Sequence, residues 1–277
     1  MKRKLTALLI ALVLASSLAP TALAHVPPPG EDYFTHHAYM QGYGDDTFRP
    51  HGNITRAEMV TLFFRILTDD YRERHWTTSN PFSDISQDDW YNNAVSVINR
   101  MGILSGYADG SFRPNAPVTR AEMSTIAATF ALLENAPIYT DTTFSDISGH
   151  WAKEYIEIAS SVGWVQGYDD GSFQPNAPIT RAETTVMINR ILHRAPETTA
   201  DLLPNMLTWS DNANTSAWYY LDIQEATNSH YYERKDIPVP GSNFNYESWT
   251  KRIPNRDWSE LEKPWSIPEY WLPPDSV

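Results

Sequence analysis

The chain contains no cysteine. That excludes disulfides and thiolate metal centres, so an exported form of it must be held together by packing. Basic residues are scarce, with 21 Lys and Arg against 34 Asp and Glu, a formal charge of -13. Nucleic acid is therefore a poor partner, because phosphate binding needs clustered Lys and Arg; the plainer meaning of the acidity is solubility. Beyond the first two dozen residues no run is apolar enough to span a bilayer. The H-E-x-x-H, EF-hand, G-x-S-x-G, P-loop and dinucleotide patterns are missing as well. The eight histidines form no ligand pattern, since His36-His37 is too close-set and lacks further ligands. No metal or cofactor is expected. Carboxylate pairs for glycoside hydrolysis are defined in space rather than in sequence, but most of the acidic residues here fall within the repeats described next.

The N-terminus reads as an export signal. Lys2, Arg3 and Lys4 precede an apolar run from Leu5 to about Leu18, Pro20 breaks it, and Ala22-Leu23-Ala24 offers a small-residue cleavage pattern. The expectation is a mature chain starting at His25, with a charge of -16 once three basic residues are gone. Its length suits one or two domains, and an aromatic content of 13% can supply a substantial core.

Internal repetition dominates what is present. Gly106-Tyr107-Ala108-Asp109-Gly110-Ser111-Phe112-Arg113-Pro114 leads to Val118-Thr119-Arg120-Ala121-Glu122. Gly167-Tyr168-Asp169-Asp170-Gly171-Ser172-Phe173-Gln174-Pro175 leads to Ile179-Thr180-Arg181-Ala182-Glu183. The earliest copy runs from Gly42-Tyr43 through Asp45-Asp46-Thr47-Phe48-Arg49-Pro50 to Ile54-Thr55-Arg56-Ala57-Glu58, with Asp46 at the position of the second glycine. A second module, Phe82-Ser83-Asp84-Ile85 then Trp90, recurs as Phe144-Ser145-Asp146-Ile147 then Trp151. The first copy lacks it. It reappears near the C-terminus as Trp209-Ser210-Asp211 then Trp218, with His230 where Gly102 and Gly163 stand. This is one repeat split between the two ends of the chain, so that a closed three-fold assembly would bring the ends together.

Period and capping give the local structure. Trp90, Ala94, Val97, Ile98 and Met101 share a helical face, as do Trp151, Tyr155, Ile158, Ala159 and Val162. The Gly-Tyr-x-Asp-Gly segments are turns. Thr-Arg-Ala-Glu matches a capping box, followed by apolar faces at Met59, Leu62, Phe63 and Ile66, at Met123, Ile126, Ala127 and Phe130, and at Met187, Ile188 and Ile191. Each repeat is helix, loop, helix, and the acidic loops at Asp45-Asp46, Asp109 and Asp169-Asp170 are turns rather than calcium sites.

With these elements in view, residues 33–230 resemble the S-layer homology (SLH) family. The boundaries read as a signal peptide at 1–24, the second half of the split repeat at 25–75, whole repeats at 76–137 and 138–200, a completing half-repeat at 201–232, and a Pro/Trp-rich tail at 233–277. The resemblance implies an all-α, pseudo-three-fold, three-pronged fold. It also implies non-covalent binding of a cell wall polysaccharide, a secondary cell wall polymer often carrying a pyruvate ketal, in grooves between repeats. Such a protein is secreted, sits at the cell surface and is not an enzyme. A surface-lattice protein and a wall-associated glycoside hydrolase are the alternatives; only a short tail follows the repeats, too small for a catalytic domain.

The candidate carbohydrate-binding residues follow. Arg56, Arg120 and Arg181 stand at the first helical position, where the macrodipole disfavours a cation. A helix N-terminus with a guanidinium fork suits a carboxylate ligand, and the competing partner is an internal salt bridge to Asp84 or Asp146. Trp90, Trp151 and Trp218 are core anchors or flat faces for a sugar ring. Asp84, Asp146 and Asp211 are caps or acceptors for sugar hydroxyls. Gly42, Gly106 and Gly167 permit unusual backbone angles or close approach, and the resemblance implies that the ligand reaches the backbone there. The tail, with Trp249, Trp258, Trp265 and Trp271, reads as an ordered irregular strap packed on the repeats, with a short turn at Trp258.

Overall fold

A computed structural model describes residues 34–133 and 144–258. The expected export signal, the tail beyond Trp258 with Trp265 and Trp271, and the side chain of Phe130 lie outside the described residues. Among the described residues there are seven helices: α1 (Arg56–Ile66), α2 (Asp69–Arg74), α3 (Asn92–Arg100), α4 (Arg120–Leu133), α5 (Lys153–Ser161), α6 (Arg181–Ile191) and α7 (Tyr220–Thr227). Three strands, β1 (Phe34–His36), β2 (His230–Pro238) and β3 (Asn245–Arg252), complete the described elements with a short 3-10 turn at Thr199–Asp201. Among the described residues no helix is long and apolar enough to cross a membrane. The described chain divides into two compact units, one of residues 56–116 with 257–258, the other of residues 34–55 with 117–133 and 144–256.

In the first unit α1 packs on α3. Met59, Leu62, Phe63 and Phe64 from α1 meet Ala94, Val95, Val97 and Ile98 from α3 as buried core. The helical face expected from Trp90 begins later than the period suggests. Helix α3 starts at Asn92 with Tyr91 as its N-cap, so Trp90 falls in the preceding turn and points away from the core. Trp258 is buried in this unit, with the guanidinium groups of Arg65 and Arg72 at 5.4 and 5.3 Å from its ring centre. Arg72 is itself buried and donates to the carbonyls of Phe64 and Arg65, which satisfies two of the orphan acceptors at the end of α1.

In the second unit α4 packs on α5 and α6 packs on α7. The capping box forms at α6, where Glu183 accepts from the Thr180 backbone and Thr180 accepts from the Glu183 backbone. The same reciprocal pair forms between Thr119 and Glu122 at α4. The residues just before the Thr-Arg-Ala-Glu motifs bond to one another in a ring. Ile54 N–H donates to the Ile179 carbonyl (3.1 Å), Ile179 to Val118 (2.8 Å) and Val118 to Ile54 (3.0 Å). All three side chains are buried. Three short bridges, Asn53 with Thr180, Thr55 with Pro117, and Thr119 with Pro178, repeat the pairing around this ring.

The fold is helix-rich, but an all-α reading does not foresee its sheet. β2 is the middle strand of an antiparallel β1-β2-β3 order. Phe34 opposes Tyr232 and His36 opposes His230; on the other edge Tyr232 opposes Trp249 and Arg234 opposes Glu247. The tail expected as an irregular strap is thus a hairpin over most of its described length. His230 and Tyr232 on β2, and Glu247 and Trp249 on β3, are buried at alternate positions, which is the period of a strand with one face inward. Two of those four inward residues, His230 and Glu247, are strongly polar, so the hydrophobic alternation that marks a strand is broken.

Candidate functional site

The same polar constellation forms three times around the phenylalanine of each Gly-Tyr loop. In the first unit Asp84 accepts from the backbone N–H of Phe112 (2.7 Å) and of Arg113 (2.8 Å). In the second unit Asp146 accepts from Phe173 and Gln174 (2.8 and 2.7 Å), and Asp211 accepts from Phe48 and Arg49 (2.8 and 2.7 Å). Each carboxylate spans two successive N–H groups. The second residue of each pair is left-handed, with φ of 58° at Arg113, 56° at Gln174 and 60° at Arg49. Non-glycine residues rarely adopt this conformation unless the surroundings fix it, and the aspartate is what fixes it. Burial works to raise the Asp146 carboxyl, but the N–H bonds from Phe173 and Gln174 outweigh it and leave it below its ordinary value.

The arginines hold the other side of the same loops. Arg56 Nε donates to the Phe112 carbonyl (2.8 Å) and Nη2 to that of Ser105 (3.2 Å). Arg120 donates to Phe173 and Gln166 (both 2.8 Å), and Arg181 to Phe48 and Gln41 (both 2.8 Å). All three are buried. Arg120 also pairs with Glu183 at 2.9 Å, and its guanidinium lies 4.8 and 4.5 Å from the ring centres of Tyr168 and Phe173. Asp84 and Asp146 are not ion-paired to an arginine; their oxygens are taken by backbone N–H groups. The cation at the first helical position is thus compensated by carbonyl oxygens of a neighbouring loop. Three of the five N–H groups of Arg120 are used in these contacts, which leaves two for a further acceptor.

The glycines serve close approach, not unusual backbone angles. A Cβ on Gly106 would fall 2.4 Å from Phe82 Cε1, one on Gly167 would fall 2.4 Å from Phe144 Cε1, and one on Gly42 would fall 2.1 Å from Trp209 Cζ3. The positive φ angles lie elsewhere in the loop, at Gly110 (81°), Gly171 (79°) and Asp46 (63°). Asp46 therefore takes the left-handed position that glycine fills in the other copies, which aspartate tolerates better than most residues. The acidic side chains close local turns: Asp45 accepts from Thr47 and Asp109 from Ser111 through both backbone and hydroxyl. Hydrogen bonds from Thr47 and Arg49 lower Asp45 to about 2.

The three tryptophans are not core anchors. Trp90, Trp151 and Trp218 are 57%, 54% and 62% exposed, far beyond what packing requires. In the second unit Trp218 lines a pocket of about 210 Å³ together with Arg120, Gly167, Tyr168, Glu183 and Arg190. One pocket thus brings together an arginine, a glycine and a tryptophan foreseen as ligand contacts; Asp146 and Trp151 are outside its lining. Sequence reasoning missed Tyr168, Glu183 and Arg190 as walls. The Tyr after each loop glycine and the Glu of each Thr-Arg-Ala-Glu recur in all three copies, and that recurrence was the available signal.

The S-layer homology domain family matches residues 35–60, 81–124 and 143–185. Cell surface glycoprotein 1 of Acetivibrio thermocellus is 36% identical over 75% of this chain and 9% of its own length. The cellulosome-anchoring protein of the same organism is 36% identical over 72% of this chain and 44% of its own length. The amylopullulanase of Thermoanaerobacterium thermosulfurigenes is 33% identical over 56% of this chain and 8% of its own length. The chain therefore spans less than half the length of each of these relatives.

Proposed function

The chain belongs to the S-layer homology family and to the cell surface, and from that premise we propose that it is a non-catalytic protein that holds a cell wall polysaccharide without a covalent bond. The polymer is a secondary cell wall polymer, and a pyruvate-ketal carboxylate on it meets the arginine at the start of α4. The observation that carries this reading is the pocket in which Arg120, Gly167 and the exposed indole of Trp218 converge. A flat apolar face beside a fixed planar donor suits a sugar ring bearing an anionic group.

In this reading residues 209–230 complete the repeat begun at residues 33–67, and the three repeats adopt a pseudo-three-fold, three-pronged arrangement. The contacts of Asp211 with Phe48 and Arg49 and the ring of Ile54, Ile179 and Val118 support it. The test is co-sedimentation with purified wall before and after extraction of its non-peptidoglycan polymer. Binding to the polymer-bearing wall alone is expected, and Trp218→Ala should weaken it while the melting curve stays put. Equal binding to both preparations would overturn the reading.

A further inference from the structure

A second constellation lies in the second unit, away from the repeat loops. His36 at the end of β1, Glu225 on α7, His230 at the start of β2 and Glu247 on β3 are all buried, the last three fully. One nitrogen or oxygen atom from each lies within 4.8 Å of the others. We propose that these four side chains form a four-coordinate site for a divalent transition-metal ion of the zinc class, fastening β1 to α7 and the C-terminal hairpin.

The first argument is an unpartnered lone pair. His230 Nδ1 lies 2.9 Å from the Asn228 carbonyl, and a carbonyl can only accept, so the ring proton belongs on Nδ1. Nε2 of the neutral ring is then an acceptor. It has no hydrogen-bond partner although fully buried, and it faces Glu225 Oε2 at 3.3 Å. An imidazole lone pair aimed at a carboxylate oxygen in a dry interior calls for a cation between them. Both oxygens of Glu247 are likewise buried and without a hydrogen bond. Arg234 Nη1 comes within 3.0 Å of one of them as an ion-pair contact, without the direction of a hydrogen bond.

The second argument is spacing. His36 Nδ1 lies 2.8 Å from Glu225 Oε1, a hydrogen bond that an ion would replace, and 3.3 Å from Glu247 Oε1; His230 Nε2 lies 3.3 Å from the other Glu225 oxygen, and the wider pairs, all within 4.8 Å, must draw together around the ion. A tetrahedron with metal–ligand bonds of about 2.0–2.1 Å has edges of about 3.3 Å. Two carboxylates and two neutral imidazoles match the charge of one divalent ion, with Arg234 beside Glu247 adding one further positive charge at the edge of the site. Imidazole with carboxylate suits zinc and its neighbours better than calcium or magnesium, which prefer oxygen alone.

The third argument is the shell behind the ligands. Metal-binding imidazoles donate their other N–H to a carbonyl or carboxylate, and ligating carboxylates are themselves hydrogen-bonded. His230 faces Asn228 in that way, and Trp249 Nε1 donates to Glu225 Oε2 at 2.8 Å. The rings are held in orientation by packing. His230 stacks on Trp249 at 4.0 Å between centroids, and His36 lies 3.9 Å from the Tyr232 ring.

Because the site is buried, loading must accompany folding. The full chain is denatured with a chelator and refolded with and without Zn2+ or Co2+, then freed of excess ion and assayed for metal. One equivalent is expected. The cobalt form should show the intense visible absorption of four-coordinate Co2+. With free metal about a hundredfold above Kd, melting should rise by roughly 5–10 °C. His230→Gln and Glu247→Gln should retain little metal; if either fails to fold, the loaded and metal-free wild-type chains still decide the matter. Substoichiometric zinc and cobalt in refolded wild-type protein, with identical melting curves, would overturn the site and leave a proton-linked ion-pair cluster in its place.

Discussion

Asp146 and Arg120 do not touch, yet they hold the same residue: the carboxylate takes the N–H of Phe173 and the guanidinium takes its carbonyl. The pattern recurs with Asp84 and Arg56 on Phe112, and with Asp211 and Arg181 on Phe48. In every case the arginine belongs to a different motif copy from the phenylalanine it grips. Each loop is thus fixed from two sides, and the arginine carries a structural duty whatever else it binds.

Arg120→Ala should therefore destabilise the fold, because it leaves two loop carbonyls and the Glu183 carboxylate without their partner. The expected loss is about 1.5–3 kcal/mol, the range for hydrogen bonds to a charged group, because Glu183 is partly exposed and keeps its bonds from Thr180 and Tyr168. Arg120→Lys should recover only part of it, since an ammonium keeps the charge and loses the planar fork. Chemical denaturation of the two variants checks this; a wild-type midpoint for the alanine form would show that the loop holds without the guanidinium.

Asp146→Ala should free the left-handed turn at Gln174. The carboxylate is exposed, so the effect is moderate, about 1–2 kcal/mol, or a fall in Tm of a few degrees. The pH dependence has a defined sign. Its folded value is depressed, so its contribution is present above the ordinary aspartate range and is lost as pH falls through the lowered value. Acid titration of wild type and variant should converge at low pH and separate near neutrality.

Gly42→Ala should clash with Trp209, since the added Cβ would lie 2.1 Å from the indole. Overpacking of this kind costs about 1–3 kcal/mol. Shrinking the partner in a Gly42→Ala, Trp209→Leu pair should restore part of the loss, and a double-mutant cycle measures the coupling. Gly44→Ala, with open space around its Cβ position, is the neutral control.

Much of this was legible in the sequence. The repeats placed the helix starts at Arg56, Arg120 and Arg181, as observed, because Thr-x-x-Glu capping is a local signal. The close approach at Gly106 and Gly167 was also within reach, although the neighbour is an aromatic ring of the preceding module. The arginine partners were hidden, since a backbone carbonyl has no residue type to betray it. The hairpin was hidden for a different reason. Its inward positions include His230 and Glu247, so the pattern that identifies a strand was interrupted by the residues with the most interesting chemistry. The close-set His36-His37 pair suggested no ligand set, because its companions lie near the far end of the chain.

Deleting residues 209–277 should be disruptive in a specific way. It removes Asp211 from the N–H groups of Phe48 and Arg49, Trp209 from Gly42, and β2 from β1. The Gly42 loop then loses its support, and the truncated chain should melt lower or aggregate; an unchanged melting curve would show that the N-terminal segment stands without it.

The bond from Asp211 to Phe48 closes a span of 163 residues, and this orders events in time. A chain threaded through an export channel emerges N-terminus first, so the segment around Gly42 must wait outside, unfinished, until Asp211 has followed it. Long-range closure is slow and leaves apolar surface open meanwhile. The matching bonds from Asp84 to Phe112 and from Asp146 to Phe173 close spans of only 28 and 27 residues and face no such delay. Premature release, or a ribosome that stops short, would therefore yield a chain defective at its beginning rather than at its end.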